Sequence, residues 1–177
     1  MSSANARDLR ATIERNVKAL TLRPSMGQGT ATTRVVVRPG ATACDIEDGD
    51  HRLVVDIDRG EGGDGAGPDP GVLVRAGLGA CLAIGYEMWA ARLDVPLDSI
   101  EVIIEADYDA RGMYAVDDAV SPGWTGLRYT THVSSSAPAE RVRELLEKAD
   151  AHSPVLDDLR TAINVVGEHR IAAKAEN

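Results

Sequence analysis

The longest apolar stretch of the chain runs from Pro70 to Leu93 and carries only three charged residues, Arg75, Glu87 and Arg92. At 100° per residue these charges point in different directions, so no broad polar face is left for water. Asp69 is a suitable N-cap, and the proline after it fits the first helical position. This pattern predicts a long helix that other elements bury on nearly every side.

Three glycines, Gly77, Gly79 and Gly85, lie inside this predicted helix, where each costs about 1 kcal/mol relative to alanine. Such positions favour close approach by another backbone or helix. Because the domain has few other elements to cover the helix, we expect a homodimer. The uncharged run 76–86 is far shorter than the roughly 20 residues that a bilayer requires, so we expect no membrane association.

The flanking segments alternate between helical and strand patterns. Helices are predicted at residues 6–19, from about 138, and at 154–162, and strands at 30–38, 44–47, 52–57, 100–108, 127–133 and 164–171. Asp48-Gly49-Asp50 separates two of these strands and is typical of a hairpin turn. The order predicts an α+β fold with a mostly antiparallel sheet, a long buried central helix and a second packing helix. Residues 1–29 are predicted to form an N-terminal helical arm and residues 30–177 the domain.

Composition and charge narrow the classes of partner. A length of 177 residues fits one domain with an arm, and a net charge of −9 opposes binding to nucleic acid. The N-terminus has no apolar signal segment, and the two cysteines, Cys44 and Cys81, fit a reducing compartment. We therefore expect a cytoplasmic protein. The four histidines show no metal-ligand spacing, so we expect no metal and no cofactor.

The glycine-rich segment 59–69 contains Gly60-x-Gly62-x-x-Gly65, which superficially matches a dinucleotide fingerprint. In that fingerprint the helix starts directly at the glycines, whereas here Gly67, Pro68 and Asp69 intervene, and the acidic residues of the segment would repel a pyrophosphate. We interpret the segment as a flexible connection that could act as a lid over a pocket.

Several side chains have two interpretations. Cys81 is either a reactive thiol or a small buried hydrophobe, and a disulfide between Cys81 and Cys44 stays open. Ser153 is predicted to be a helix N-cap in preference to a nucleophile activated by His152. Two aromatic residues of the central helix either fill the core or line a pocket, and an aromatic residue in a Gly/Pro loop is expected at a pocket rim; these are Tyr86, Trp89 and Trp124.

Four short motifs occur together and in order: the glycine-rich loop, Asp69-Pro70, Leu78-Gly79-Ala80-Cys81 and His152-Ser153-Pro154-Val155. With this combination the chain resembles the OsmC/Ohr family of thiol-dependent hydroperoxide-reducing proteins, from about residue 30 to the C-terminus. The resemblance implies an intertwined homodimer, with two long buried helices near the two-fold axis and active sites at the subunit interface.

The resemblance also implies site residues. In active members of the family a helix cysteine attacks the hydroperoxide and becomes sulfenic acid, and a second cysteine in a Cys-Pro sequence then closes a disulfide. Cys81 matches the first position, whereas Ser153 stands at the second and cannot form that disulfide. Arg59 is the best match for the family's arginine ahead of the helix. Gly71 stands where Ohr proteins carry a glutamate. The chain is thus a divergent member in this interpretation.

Two functions follow, and whether the protein is an enzyme stays open. In the first, an OsmC-like stress-response protein acts as a one-cysteine, peroxiredoxin-like reductase of organic hydroperoxides, with Cys81 and Arg59 catalytic and an external thiol as reductant. In the second, the protein binds a small apolar ligand without redox chemistry. The candidate substrate-binding residues in either case are Tyr86, Trp89, Trp124 and Ser153. The retained cysteine and arginine favour the first function narrowly.

Overall fold

The computed structural model describes residues 3–171. In chain order its elements are α1 (Ser3–Leu22), β1 (Arg34–Val37), β2 (Cys44–Asp48), β3 (His51–Val55), α2 (Pro70–Leu93), β4 (Ser99–Tyr108), α3 (Ala110–Met113), β5 (Trp124–Ser134), α4 (Ala139–Asp150) and α5 (Pro154–Arg160). Short 3-10 turns lie at Pro24–Gly27 and Arg59–Glu61. The expected α+β class is confirmed.

The first sheet contains β1, β2 and β3 in that order, and both pairs are antiparallel. Asp48 pairs with His51, so the predicted hairpin turns through two residues only. Gly49 occupies the first of them with φ of 53°, a left-handed conformation that glycine adopts without strain. β1 is exposed along its whole length. The described chain therefore leaves much of this sheet in contact with solvent.

The second sheet pairs β4 with β5, antiparallel, from Ser99 opposite Ser134 to Tyr108 opposite Trp124. Alternate residues of the two strands, including Ile100, Val102, Ile104, Leu127 and Tyr129, pack against the core. This alternation follows from the two-residue repeat of a strand with one buried face.

The strand predicted for residues 164–171 is not formed. This segment has no regular secondary structure in the described chain, and Val165, Val166 and Ile171 are strongly exposed. A strand needs both a neighbouring edge for its backbone hydrogen bonds and a cover for its apolar side chains. After α5 the chain finds neither within the residues that the structure describes, so the second sheet stays two-stranded.

α2 begins as its sequence predicts. The Asp69 side chain accepts a hydrogen bond from the Val72 backbone N–H at 3.0 Å, and Pro70 follows it at the first helical position. One face of the helix enters the core through Leu78, Leu82, Tyr86 and Ala90, against α4, α5 and β4. The capped start of α2 thus fixes which of its faces packs against the second sheet.

The prediction that α2 is buried on nearly every side is wrong for the single chain. Val74, Ile84 and Met88 form an exposed face of α2, and Ile84 is 61% exposed. Gly79 packs against Ile104, whereas a Cβ at Gly77 would have no neighbour within 4 Å. The apolar composition of this helix therefore exceeds what one chain can cover.

α1 also packs against α2, and Ile13 on its apolar stripe is buried. Its sequence-derived helical pattern is confirmed, with the helix extending a few residues beyond the expected ends. Among the described residues α2 is the one helix long and apolar enough to cross a membrane by length and composition alone. Core helices of soluble proteins share these properties.

Candidate functional site

The side chains of Cys81 and Ser153 meet between α2 and α5. Cys81 Sγ lies 3.4 Å from Ser153 Oγ in a thiol–hydroxyl hydrogen bond in which either atom could donate. The Ser153 side chain is buried, at 5% exposure, and the cysteine is partly exposed. Ser153 occupies the N-cap position of α5, as expected, but its hydroxyl makes no capping hydrogen bond. The hydroxyl is instead turned towards the thiol.

Asp150, the last residue of α4, anchors the turn that leads to Ser153. The Tyr86 hydroxyl donates to one carboxylate oxygen at 2.8 Å, and the Tyr129 hydroxyl donates to the other at 2.6 Å. Burial, together with the neighbouring carboxylate, raises the pKa of both phenols above its usual value. Both tyrosines therefore remain neutral donors at physiological pH. Tyr86 itself is a core residue, only 1% exposed.

Trp89 lies nearer the C-terminal end of α2, between two other side chains. The Arg92 guanidinium carbon is 4.3 Å from the indole centroid, and the His152 ring centroid is 5.1 Å away at an angle of 48°. His152 Nδ1 lies 2.7 Å from the Lys148 carbonyl oxygen. Trp89 thus holds the turn between α4 and α5 against α2.

Trp124 covers the first turn of α2, at the other end of the helix. The Arg75 guanidinium carbon lies 5.8 Å from its ring centroid. A Cβ at Gly71 would lie 2.9 Å from Asp69 Oδ1 and 3.2 Å from an Arg75 Nη atom. A larger side chain at position 71 would therefore require the Asp69 or Arg75 side chain to shift.

The glycine-rich loop is organised around Asp56, whose side chain is buried at 2% exposure. Its carboxylate accepts four hydrogen bonds, from the Thr42 hydroxyl and from the backbone N–H groups of Ile57, Asp64 and Ala66. These bonds, with that of Thr42 contributing most, hold the pKa of Asp56 below its usual range. The loop is thus fixed by a carboxylate at its base.

Arg59 lies within this loop, in the 3-10 turn. Its Nε donates to the Asp64 carbonyl oxygen at 3.1 Å. Within the described residues, no hydrogen bond or ion pair joins Arg59 to Cys81. The structure therefore brings Cys81 and Ser153 together. It places the four other candidates elsewhere: Tyr86 and Trp89 along α2, Arg59 in the loop and Trp124 at the start of β5.

A cleft of about 340 Å³ opens between α2, β5 and α5. It is lined by Leu78, Leu127, Arg128, Tyr129, Leu156, Leu159 and Arg160. Leu78 precedes Cys81 by one helical turn, and Leu156 follows Ser153 by about one turn. Neither Cys81 nor Ser153 lines the cleft, which offers a mainly aliphatic surface.

Both cysteines are free, so the disulfide that the sequence left open is not formed. Cys44 lies in β2 with its Sγ 3.6 Å from the Thr42 carbonyl oxygen. Within residues 3–171, no cluster of three or more His, Cys, Asp or Glu side chains could hold a metal ion.

Sequence reasoning missed the acidic anchors Asp56 and Asp150, and the partner Tyr129. Asp150 ends a charged helix whose other charges face solvent, so its role is hidden by its neighbours. Its position three residues before Ser153 is the one feature that could have drawn attention to it. Tyr129 stands on the apolar face of an alternating strand, where a phenol often needs a buried partner.

The fold is α+β, with a cysteine midway along the central helix that faces the start of a short helix. The chain belongs to the OsmC family, because the family model described as OsmC-like protein matches residues 62–167, more than half of its length. No curated protein matches this sequence.

Solved structures share the fold at low sequence identity. An OsmC-like protein from Mycoplasma pneumoniae has a TM-score of 0.65 at 10% identity, over 76% of this chain and 90% of that chain. The organic hydroperoxide resistance protein OsmC from Legionella pneumophila has a TM-score of 0.55 at 20% identity, over 76% and 91%. An organic hydroperoxide resistance protein from Elizabethkingia anophelis, with thiocyanate bound, has a TM-score of 0.53 at 19% identity, over 76% and 91%.

Proposed function

We propose that this protein is a one-cysteine reductase of organic hydroperoxides in which Cys81 is the reacting group and an external thiol is the reductant. The observation that carries the proposal is the partly exposed Cys81 thiol held 3.4 Å from the Ser153 hydroxyl. The names of two structural neighbours, which refer to organic hydroperoxide resistance, support the same chemistry.

In the proposed reaction the Cys81 thiolate attacks the terminal oxygen of the hydroperoxide and the O–O bond breaks. The alkoxide takes a proton and leaves as an alcohol, and Cys81 becomes sulfenic acid. An external thiol then condenses with the sulfenic acid, forming a mixed disulfide and releasing water. A second external thiol restores the Cys81 thiol and leaves as part of an external disulfide.

Ser153 is proposed to hydrogen-bond the sulfur through this cycle. Its hydroxyl can donate to a thiolate or to a sulfenate, but it cannot resolve the sulfenic acid as a second cysteine would. Arg59 is proposed to favour the thiolate through its positive charge, without a direct contact to Cys81 among the described residues. An Arg59→Gln variant that reduces hydroperoxide at the parent rate would remove Arg59 from the proposal.

The proposal includes a homodimer. The exposed face of α2, formed by Val74, Ile84 and Met88, is apolar surface that a second copy would remove from water. Val35 and Val37 of the first sheet are also exposed, and a small sheet without cover is marginally stable, so a second copy would stabilise it as well. We also propose a cytoplasmic location, because two free cysteines suit a reducing compartment.

A second candidate function is binding of a small apolar ligand without redox chemistry. The cleft between α2, β5 and α5, with four leucines in its lining, favours this alternative. So does the absence of a second active-site cysteine.

The two functions separate in one experiment. The protein is treated with one equivalent of cumene hydroperoxide in the presence of dimedone, and its intact mass is measured. A single dimedone adduct that maps to Cys81 supports the reductase. An unmodified mass, together with saturable binding of an apolar fluorescent probe such as N-phenyl-1-naphthylamine, supports the binding protein instead.

A further inference from the structure

The turn between α4 and α5 is attached to α2 by three side-chain contacts in four residues. Asp150 accepts a hydrogen bond from Tyr86, the His152 ring packs on Trp89, and Ser153 meets Cys81. All three partners belong to α2, the helix that also carries the thiol. The turn is therefore attached to the same rigid element as the Cys81 sulfur. Groups held on a helix in this way keep their relative positions well.

Asp150 is the strongest of these attachments. Its carboxylate receives two phenolic hydrogen bonds, one from α2 and one from β5, and hydrogen bonds to an ionised acceptor are stronger than neutral ones. The Ser153 backbone N–H donates to the Asp150 carbonyl oxygen at 3.3 Å. A displacement of Asp150 would therefore be passed directly to the backbone that carries the Ser153 hydroxyl.

Among the described residues the Ser153 hydroxyl contacts the Cys81 sulfur and does not cap α5. Its distance from Cys81 must therefore be set by the backbone of the turn. We propose that Asp150, clamped by Tyr86 and Tyr129, is a positioning residue that sets the distance between the Ser153 hydroxyl and the Cys81 sulfur. Its importance for catalysis rests on the proposed function, but the positioning itself does not.

A cross-link measures this distance without any peroxidase assay. In a Cys44→Ser, Ser153→Cys background, the effective concentration of the disulfide between positions 81 and 153 is determined in glutathione redox buffers. Tyr129→Phe and Asp150→Asn are then added separately. We expect each to lower the effective concentration by about fivefold or more, since each removes hydrogen bonding to a charged anchor.

Two controls separate positioning from general loss of stability. Tyr114→Phe removes the hydroxyl of an exposed tyrosine, and Ile13→Ala weakens the packing of α1. Both should leave the effective concentration of the disulfide unchanged under conditions where circular dichroism shows a folded protein. Tyr129→Phe keeps the ring and the net charge, so it serves if Asp150→Asn fails to fold.

A second readout tests whether Asp150 acts through Ser153. With Ser153 present, Tyr129→Phe should change the pH profile of Cys81 alkylation by iodoacetamide, and in a Ser153→Ala background it should have no further effect. An equal change in both backgrounds, or an effective concentration within twofold of the parent, would overturn the proposal. Failure of the Cys44→Ser, Ser153→Cys protein to form the disulfide would also overturn the proposal. Absence of hydroperoxide reduction would instead count against the proposed function alone.

Discussion

Cys81 and Ser153 are 72 positions apart in sequence, yet the sulfur of the first lies 3.4 Å from the hydroxyl oxygen of the second. Cys81 is fixed by the long helix α2, and Ser153 by the start of α5. The contact therefore depends on the packing of α5 against α2.

Ser153→Cys should install a disulfide to Cys81 under mild oxidation. The present separation of Sγ and Oγ is close to what two cysteines require before they are bridged, provided that their Cα atoms lie about 4.4–6.8 Å apart. In the loop-entropy model, closing a segment of this length stabilises the fold by roughly 4 kcal/mol. Free-thiol titration and urea unfolding, with and without dithiothreitol, measure the two effects.

Ser121→Cys is the matched control for this disulfide, because Ser121 lies in an exposed loop. It should keep all of its thiols free under the same oxidation. If the Ser153→Cys protein also keeps its thiols while it remains folded, the placement of Ser153 opposite Cys81 is wrong.

Cys81 should be the only thiol whose loss abolishes hydroperoxide consumption. Cys44 is also partly exposed, but its described sulfur contact is with a backbone carbonyl in β2 and not with a side chain that could assist chemistry. In a coupled thiol-oxidation assay with cumene hydroperoxide, Cys81→Ser should reduce turnover to background and Cys44→Ser should leave it near the parent rate. Equal activity of the two variants would contradict the enzymatic proposal.

The sequence predicted best those elements whose determinants are local. Asp69-Pro70 gives the start of α2, Asp48-Gly49 marks the hairpin, and the alternation around Tyr129 gives β5. Each of these depends on neighbouring residues, so each can be inferred without knowing what packs nearby.

The sequence did not predict features that depend on distant partners. The anchor at Asp150 requires two tyrosines from separate elements, and the burial of Asp56 requires Thr42 from another strand connection. The strand expected at 164–171 failed for the same reason, because the sequence of this segment does not show whether a sheet edge is available to it. The Cys81–Ser153 contact could be anticipated only through the family resemblance.

The protein should be a homodimer at micromolar concentration, and Ile84→Glu should convert it to a monomer. Ile84 is the most exposed large side chain on the exposed face of α2, and a carboxylate buried there without a partner would oppose association. Sedimentation velocity should show about twice the 18.8 kDa chain mass for the parent and for Thr130→Glu, a control on the solvent face of β5. A parent that sediments only as a monomer would contradict the proposed dimer.

Asp56→Asn should lower stability at neutral pH but not in acid. The carboxylate accepts four hydrogen bonds in the folded loop, and an amide would turn an NH₂ group towards some of those donors. Since folding lowers the pKa of Asp56, its contribution is fully present above the unfolded value of about 3.9 and is lost as the pH falls through the lower folded value.

The difference in melting temperature between the parent and Asp56→Asn should therefore be several degrees at pH 7 and shrink below about pH 4. Asp58→Asn is the matched control, because Asp58 lies in the same loop and its side chain makes no capping hydrogen bond. It should melt close to the parent at both pH values. A difference for Asp56→Asn that stays constant from pH 7 to pH 3 would show that the ionised carboxylate does not hold the loop, and would remove the physical basis for a fixed Arg59.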